Sequence, residues 1–243
     1  MVEEYRVHPM PIVRIYIDKG IFTYLSNYGE KICSPVYSFY IEGPREKILV
    51  DTGISAEEMK KVARFVTQVE DIKPFEESLA KYGLAPEDID IVIQTHLHSD
   101  HCVNTRKCRN ARVIVQEAEL NFALNPHPLY AGVYQKKWYE GINFETVTGD
   151  REIVPGVGVV SLPGHTKGSQ GVVVDTRKGK CVIAGFCALD ENFGDMGDVA
   201  SPVVLPGICL DPMQAYDSIM KVKKMAQCII PIHSDRFLNV ETI

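Results

Sequence analysis

The sequence has no apolar run approaching the ~20 residues that a helix needs to cross a bilayer. It also shows no secretory signal, because the segment Met1–Arg6 contains two glutamates and is not followed by an apolar stretch. These two absences argue against a membrane protein and predict a cytoplasmic one.

A disulfide framework and a basic surface stripe are absent as well. The seven cysteines are an odd number, are widely scattered and include no Cys-x-x-Cys pair, so most of them are expected to be reduced. With 26 Lys and Arg against 32 Asp and Glu, the formal net charge is −6, which makes a nucleic-acid partner unexpected. A small-molecule substrate fits this composition better, and assembly into a homodimer is left open.

The length of 243 residues predicts one domain that spans residues 1–243. Runs rich in β-branched and aromatic residues predict strands at 12–17, 35–41, 47–50, 90–94, 111–115, 156–162, 170–174, 180–184 and 228–232. Capping residues and helical spacing predict helices from Ser55 through Val69, over 74–83, over 116–124 and from Asp211 through Met225. Strands and helices therefore alternate, as in an α/β protein.

The segment 125–143 breaks this pattern, because it mixes prolines with four aromatic residues. Two interpretations stay open: the segment lines a pocket, or it forms a small hydrophobic cluster under a loop. His127 lies between two prolines there and is not expected to bind a metal.

Three histidines and an aspartate lie within six positions in Thr95–His101, directly after the strand 90–94. Neutral imidazole and carboxylate are ligands that zinc accepts, and such ligands are deprotonated at neutral pH. His96 and His98 alternate on an extended chain and point the same way, whereas Asp100 and His101 follow in the turn. This cluster predicts a metal site at the end of a buried strand.

Two further histidines, His165 and His233, each follow directly after an apolar strand. Five of the seven histidines thus stand at strand ends, which favours a composite site over separate surface residues. Asp51 also ends a buried strand. It is interpreted either as a partner of a ligand histidine or as a turn or helix-capping residue.

Four motifs together resemble the metallo-β-lactamase superfamily: Thr95–His101, Leu162–Gly168, Ile48–Gly53 and Ile232–His233. Within it, Arg112–Glu119 and Val154–Val157 are most similar to the N-acyl homoserine lactonase group. The fold that this resemblance implies is an αβ/βα sandwich of two mixed β-sheets with outer helices and the metal site at one sheet edge.

Carried over residue by residue, the resemblance assigns His96, His98 and His165 to a first metal. It assigns Asp100, His101 and His233 to a second. The implied cofactor is zinc, as one or two ions, with iron or manganese as alternatives.

The bridging aspartate of the family is missing from this chain. The lactonase pattern places Cys187 at or beside its position, and a thiolate is a good zinc ligand. Three alternatives stay open: Cys187 is a ligand, Asp190 reaches in instead, or the second metal is weak or absent. Asp190 also stands where the lactonases have a tyrosine that contacts substrate.

These observations predict metal-assisted hydrolysis of a cyclic ester or cyclic amide. A metal lowers the pKa of bound water, and the resulting hydroxide attacks the acyl carbon. Asp100 is the expected catalytic residue, which orients the nucleophile and passes a proton to the leaving group. The alternatives are hydrolysis of a thioester or another acyl group, and a non-catalytic binding protein that holds a metal. A di-iron redox centre is a further class, but it normally needs a flavin domain for which 243 residues leave no room.

Overall fold

A computed structural model describes residues 4–63, 66–186, 189–194 and 202–243. The first sheet contains β1 (Arg6–Asp18), β2 (Lys31–Glu42), β3 (Ile48–Val50), β4 (Val66–Asp71), β5 (Ile91–Ile93), β6 (Arg112–Gln116) and β7 (Phe144–Val147). The second sheet contains β8 (Arg151–Val154), β9 (Val157–Ser161), β10 (Gln170–Thr176), β11 (Gly179–Ala184) and β12 (Cys228–Pro231). The α-helices in the described residues are α1 (Ala56–Val62), α2 (Phe75–Ala80), α3 (Ser99–Cys102), α4 (Glu117–Leu124) and α5 (Pro212–Met225).

Both sheets are mixed. The order in the first is β4-β1-β2-β3-β5-β6-β7, with antiparallel pairs from β4 to β3 and parallel pairs from β3 to β7. The order in the second is β12-β11-β10-β9-β8, in which only the β11–β12 pair is parallel. Because β3 and β5 are parallel, their carboxyl ends meet at one edge of the first sheet.

The two sheets pack face to face over a shared apolar core. Phe39, Ile93 and Ile114 of the first sheet belong to the same buried cluster as Val172 and Ile183 of the second. The outer face of the second sheet is covered by α5, which buries Ala215, Ile219 and Val222 and keeps its lysines exposed or half-buried. A third cluster covers the outer face of the first sheet, against α1 and α2. The predicted αβ/βα sandwich is thereby confirmed.

The predicted helix from Ser55 through Val69 is only partly correct. Ser55 does cap α1, since its side chain accepts a hydrogen bond from the amide of Glu58, but the helix ends at Val62. From Val66 the chain forms β4, which pairs antiparallel with β1. The spacing of the valines suits a helix, but valine itself is enriched in strands, and the available edge of β1 decides the outcome. Phe65, which was counted in the helical pattern, lies outside the described residues.

The segment 125–143 lines a pocket, as one interpretation expected, but its buried aromatic residues join the large outer core rather than form a small separate cluster. Tyr134, Trp138 and Tyr139 are buried in the cluster on the outer face of the first sheet, whereas Tyr130 and Val133 line a cavity. His127 is exposed, and its Nδ1 accepts a hydrogen bond from the amide of Leu129.

Within the described part of the chain, no helix has the length and apolarity required to cross a membrane.

Candidate metal centre

The chain leaves β5 and reaches the histidine cluster within three residues. His96 and His98 lie between the strand and α3, with an extended backbone at His98, and α3 is a single helical turn that carries Asp100 and His101. The hydroxyl of Tyr139 donates to the carbonyl of Leu97 at 2.7 Å, and the amide of Thr52 donates to the carbonyl of His101 at 2.7 Å. Both ends of the cluster are therefore fixed by contacts with other parts of the fold.

Two groups of ligand atoms form where three strand ends meet. His96, His98 and His165 compose the first group, and Asp100, His101 and His233 compose the second. Within each group the ligand atoms lie within 4.8 Å of one another. The structure thus brings together the six residues that the resemblance assigned, in the two predicted sets.

Hydrogen bonds fix which ring nitrogen is free in three of these histidines. Nδ1 of His165 donates to the carbonyl of Ile208 at 2.6 Å, and Nδ1 of His233 donates to the carbonyl of Pro35 at 2.8 Å. Nδ1 of His101 lies 2.8 Å from the carboxylate of Asp51 and donates to it. Since Nδ1 carries the proton, Nε2 of each neutral ring presents a lone pair.

Thr95 extends the same arrangement to His96. Its hydroxyl donates to Asp51 at 2.7 Å, so it must accept from Nδ1 of His96, which lies 3.0 Å away. Asp51 also accepts from the amide of Thr95 and has a left-handed backbone, with φ of 55°. Of the two interpretations of Asp51, the structure favours contact with a predicted ligand histidine, since its carboxylate lies against His101. Sequence reasoning did not predict the hydrogen bond from His96 to Thr95.

The free nitrogens point at one another. Nε2 of His96 lies 3.3 Å from Nε2 of His165, and Oδ2 of Asp100 lies 3.2 Å from Nε2 of His101 and 3.6 Å from Nε2 of His233. The lone pairs of the two neutral rings, His96 and His165, repel each other at that distance unless a cation or a proton lies between them. Nε2 of His98 is also buried without a hydrogen-bond partner in the described structure. This donor set fits metal ions.

Burial keeps four of the imidazoles neutral. It lowers the pKa of His96 and His98 well below the ordinary value and lowers the pKa of His165 and His233 to about 4. Neighbouring imidazoles act in the same direction, because a positive charge on one disfavours a charge on the next. Neutral imidazole is the form that binds a metal.

His101 differs because it lies between two carboxylates. Burial lowers its pKa, but Asp100 and Asp51 outweigh that effect and raise it to about 10. Burial would raise the pKa of Asp100, yet His101 beside it holds that pKa far below the ordinary range. In the metal-free protein His101 therefore holds a proton that a bound metal would replace.

The remaining predicted ligand, Cys187, lies outside the described residues. The carboxylate of Asp190 belongs to neither ligand group: Oδ1 pairs with Arg236 at 2.9 Å, and Oδ2 accepts from the hydroxyl of Ser234. Both of its oxygens are thus engaged by groups beside His233 rather than by the gathered ligands.

A cavity of about 670 Å³ opens from the ligand groups. Its wall is mainly aliphatic and aromatic and includes Ile15, Ile17, Phe22, Met59, Val62, Val133, Ile208 and Ile232. Asp100 is the one carboxylate among the described residues that line it. Lys61 also reaches the cavity, but it is paired with Glu57 and Glu58.

The fold and this site together define a metal-dependent hydrolase, with two ligand groups at the floor of an apolar cavity and at the edge of a two-sheet sandwich. The chain belongs to the metallo-beta-lactamase superfamily, whose family model matches residues 32–227.

Similar proteins span most of the chain. The N-acyl homoserine lactonase AiiA of Bacillus thuringiensis subsp. kurstaki is 28% identical over 239 residues, which cover 93% of this chain and 90% of that protein. The metallo-beta-lactamase domain-containing protein 1 of Xenopus laevis is 34% identical over 164 residues, covering 66% of this chain and 60% of that one. A solved structure of an N-acyl homoserine lactone hydrolase, with the product N-hexanoyl-L-homoserine at its catalytic metal centre, has a TM-score of 0.80 and 25% identity. The structural match covers 97% of this chain and 95% of the chain in that structure.

Proposed function

We propose that this protein is a lactonase that hydrolyses a cyclic ester carrying an apolar substituent, with one or two metal ions held by the two ligand groups. The observation that carries the proposal is the position of the cavity, whose apolar wall leads directly to six converged ligand residues. The lactonase names of similar proteins support the same substrate class.

The chain's own residues would act in three ways. The aliphatic wall would hold the substituent and exclude water from it. The two ligand groups would hold ions that supply Lewis acidity and lower the pKa of a bound water toward 7. Asp100, ionised and with its side chain 23% exposed at the cavity floor, would orient the attacking water and carry a proton to the leaving oxygen.

The ligand set is part of the proposal. It comprises His96, His98, Asp100, His101, His165 and His233, with Cys187 in place of the family's bridging aspartate. We expect zinc, as one or two ions. Metal analysis of Cys187→Ser is expected to show loss of metal from the second group. Two tightly held ions in that variant would show that the cysteine assignment is wrong.

A substrate panel tests the reaction. It contains N-acyl homoserine lactones, simple lactones, cyclic amides and thioesters, because a cyclic amide or a thioester would use the same ligands with a different pocket. Hydrolysis of lactones above the others is expected. The variant with both His96→Ala and His98→Ala should lose metal and activity, whereas His127→Ala should keep its metal. Lactone hydrolysis by the metal-free double variant would contradict the proposal, and no turnover of any panel member would favour a binding protein.

Three further expectations complete the proposal. Residues 1–243 form one domain, the protein is cytoplasmic, and it acts on a small molecule either as a monomer or as a homodimer. Limited proteolysis, cell fractionation and light scattering test these three points in turn.

A further inference from the structure

Glu119 is a fully buried carboxylate in α4 that the proposed reaction does not use. Four groups donate hydrogen bonds to it. Oε1 accepts from the amide of Leu97 at 2.9 Å and from the hydroxyl of Tyr134 at 2.8 Å. Oε2 accepts from the hydroxyl of Thr166 at 2.6 Å and from the amide of Gly168 at 3.0 Å. Each oxygen is thus satisfied by two donors.

This arrangement requires the ionised carboxylate. Only that form accepts at both oxygens without presenting a proton of its own, and a carboxylic acid here would direct its proton at a donor. Burial raises the pKa of Glu119, and the four hydrogen bonds act against that shift. All four donors are uncharged, so no lysine or arginine makes these contacts.

Three of the four donors lie on segments that carry the first ligand group, and the fourth, Tyr134, contacts one of its histidines. Leu97 stands between His96 and His98, and Thr166 directly follows His165. The ring of Tyr134 packs edge-on against His98, with the ring centroids 4.8 Å apart. One side of the carboxylate therefore holds the segment of two ligands, and the other side holds the loop of the third.

The contact between α4 and the His165 loop is close. A Cβ atom at Gly168 would lie 2.8 Å from Cα of Glu119 and 2.7 Å from its Cβ, and closer still to its backbone nitrogen. Only glycine lets the two backbones approach to this distance.

We propose that Glu119 is a positioning residue for the first metal: its carboxylate sets the separation of His96 and His98 from His165. The inference rests on the ligand assignment of the proposed function but not on the substrate. None of the four bonds reaches the second group, whose histidines are oriented by Asp51 and by the carbonyl of Pro35. Loss of the carboxylate should therefore affect one metal and spare the other.

Glu119→Gln is the variant that tests this role. The amide has almost the same size, but one of its ends donates, so it can accept from only one of the two donor pairs. One segment then loses its anchor. Glu117→Gln is the matched control, because Glu117 lies in the same helix, is exposed and accepts one hydrogen bond, from the hydroxyl of Thr148 at 3.3 Å.

Zinc affinity is measured by chelator competition in two backgrounds that each retain one group. His233→Ala keeps the first group, and His165→Ala keeps the second. In the first background Glu119→Gln should weaken zinc binding on the order of 10- to 100-fold, as observed when partners of metal ligands are removed. In the second background the zinc affinity of Glu119→Gln should match that of Glu117→Gln.

If Glu119 had a merely structural role, Glu119→Gln would lower the melting temperature of the metal-free protein and would change zinc affinity equally in the two backgrounds. Equal zinc affinities for the two glutamine variants in the first background would overturn the inference, and so would an equal loss in both backgrounds. If His165→Ala keeps two ions, the ligand assignment fails and the inference fails with it.

Milder variants decide the matter if Glu119→Gln does not fold. Tyr134→Phe and Thr166→Val each remove one of the four donors and retain the charge. Each should weaken zinc binding severalfold in the His233→Ala background only. Unchanged affinity in both of these variants would overturn the inference.

Discussion

Replacement of Asp51 by asparagine should destabilise the metal-free protein strongly. Asparagine keeps the size of the side chain and tolerates the left-handed backbone at this position, where φ is 55°. Its amide, however, cannot accept at both ends. The aspartate accepts from the amide of Thr95 at one oxygen, and from the hydroxyl of Thr95 and Nδ1 of His101 at the other. At least one buried donor must lose its partner.

The size of the effect follows from these contacts. A buried donor without a partner costs about 1–3 kcal/mol, and removal of one member of a buried ion pair costs about 3–5 kcal/mol. Asp100 still faces His101 in the variant, so we expect the lower end, about 3 kcal/mol. For a chain of this length that corresponds to a fall in melting temperature of about 6–12 °C.

The assay is urea unfolding at pH 7 with a chelator present, followed by circular dichroism. Asp90→Asn is the control, because Asp90 is exposed and accepts from the amide of Lys47 at 2.8 Å. The control should change the free energy of unfolding by less than about 1 kcal/mol. If Asp51→Asn is no less stable than Asp90→Asn, the buried contact between Asp51 and His101 does not stabilise the metal-free protein.

The same pair predicts a pH dependence. The pKa of His101 is raised to about 10 in the folded protein, above its ordinary value of 6.5. Its stabilising effect is therefore complete below about pH 6.5 and is lost as the pH rises through about 10. The difference between wild type and Asp51→Asn should shrink over that range, and a difference that grows with pH would contradict the assignment.

Three further predictions follow from other parts of the site. Metal-free protein should lose stability as the pH falls from 7 to 4, because the pKa of His165 and His233 is lowered to about 4 in the folded protein and the unfolded chain takes up those protons first. The loss in free energy of unfolding is on the order of 3 kcal/mol per histidine. Unfolding curves that show constant stability over this range would contradict the prediction. Gly168→Ala should lower the free energy of unfolding by about 1–3 kcal/mol, because the new methyl group overpacks against Glu119. Gly194→Ala, where a Cβ would make ordinary contacts only, should be nearly neutral. Equal free energies of unfolding for the two variants would show that the loop of Gly168 can move away from α4. If the aliphatic cavity holds the substituent of a lactone, each added methylene should raise kcat/KM by up to about fourfold, the equivalent of about 0.8 kcal/mol, and a series of substrates with no dependence on chain length would exclude that role.

The elements that the sequence predicted best are those in which local pattern and tertiary environment agree. The buried strands β3, β5 and β11 appear as β-branched runs, and the helix that follows Asp211 has both its capping residue and its first-turn proline. The prediction failed at Val66–Asp71, where the spacing of the valines indicates a helix but their strand preference and the edge of β1 select a strand. It also missed β7 and β8, which are short edge strands with few buried residues.

The site divides in the same way. His96, His98, Asp100 and His101 are visible in the sequence because they are crowded into one short motif. Thr95 and Glu119 were missed because their contacts join segments far apart in the chain, and hydroxyl and carboxyl side chains are common at surfaces. One signal was available for Glu119: it ends the run Arg112–Glu119, which resembles the lactonase group.

The sequence by itself determined the superfamily, the sandwich of two sheets and a set of six candidate ligand residues, because chemically distinctive side chains recur at strand ends with fixed spacing. Only the tertiary structure decided how these residues are held. In four of the five imidazoles the nitrogen that faces the site depends on a hydrogen bond from the other ring nitrogen, to a group such as Asp51 or the carbonyl of Ile208. Such a bond is a matter of distance and direction between segments that meet only after folding, and these are not encoded in local spacing.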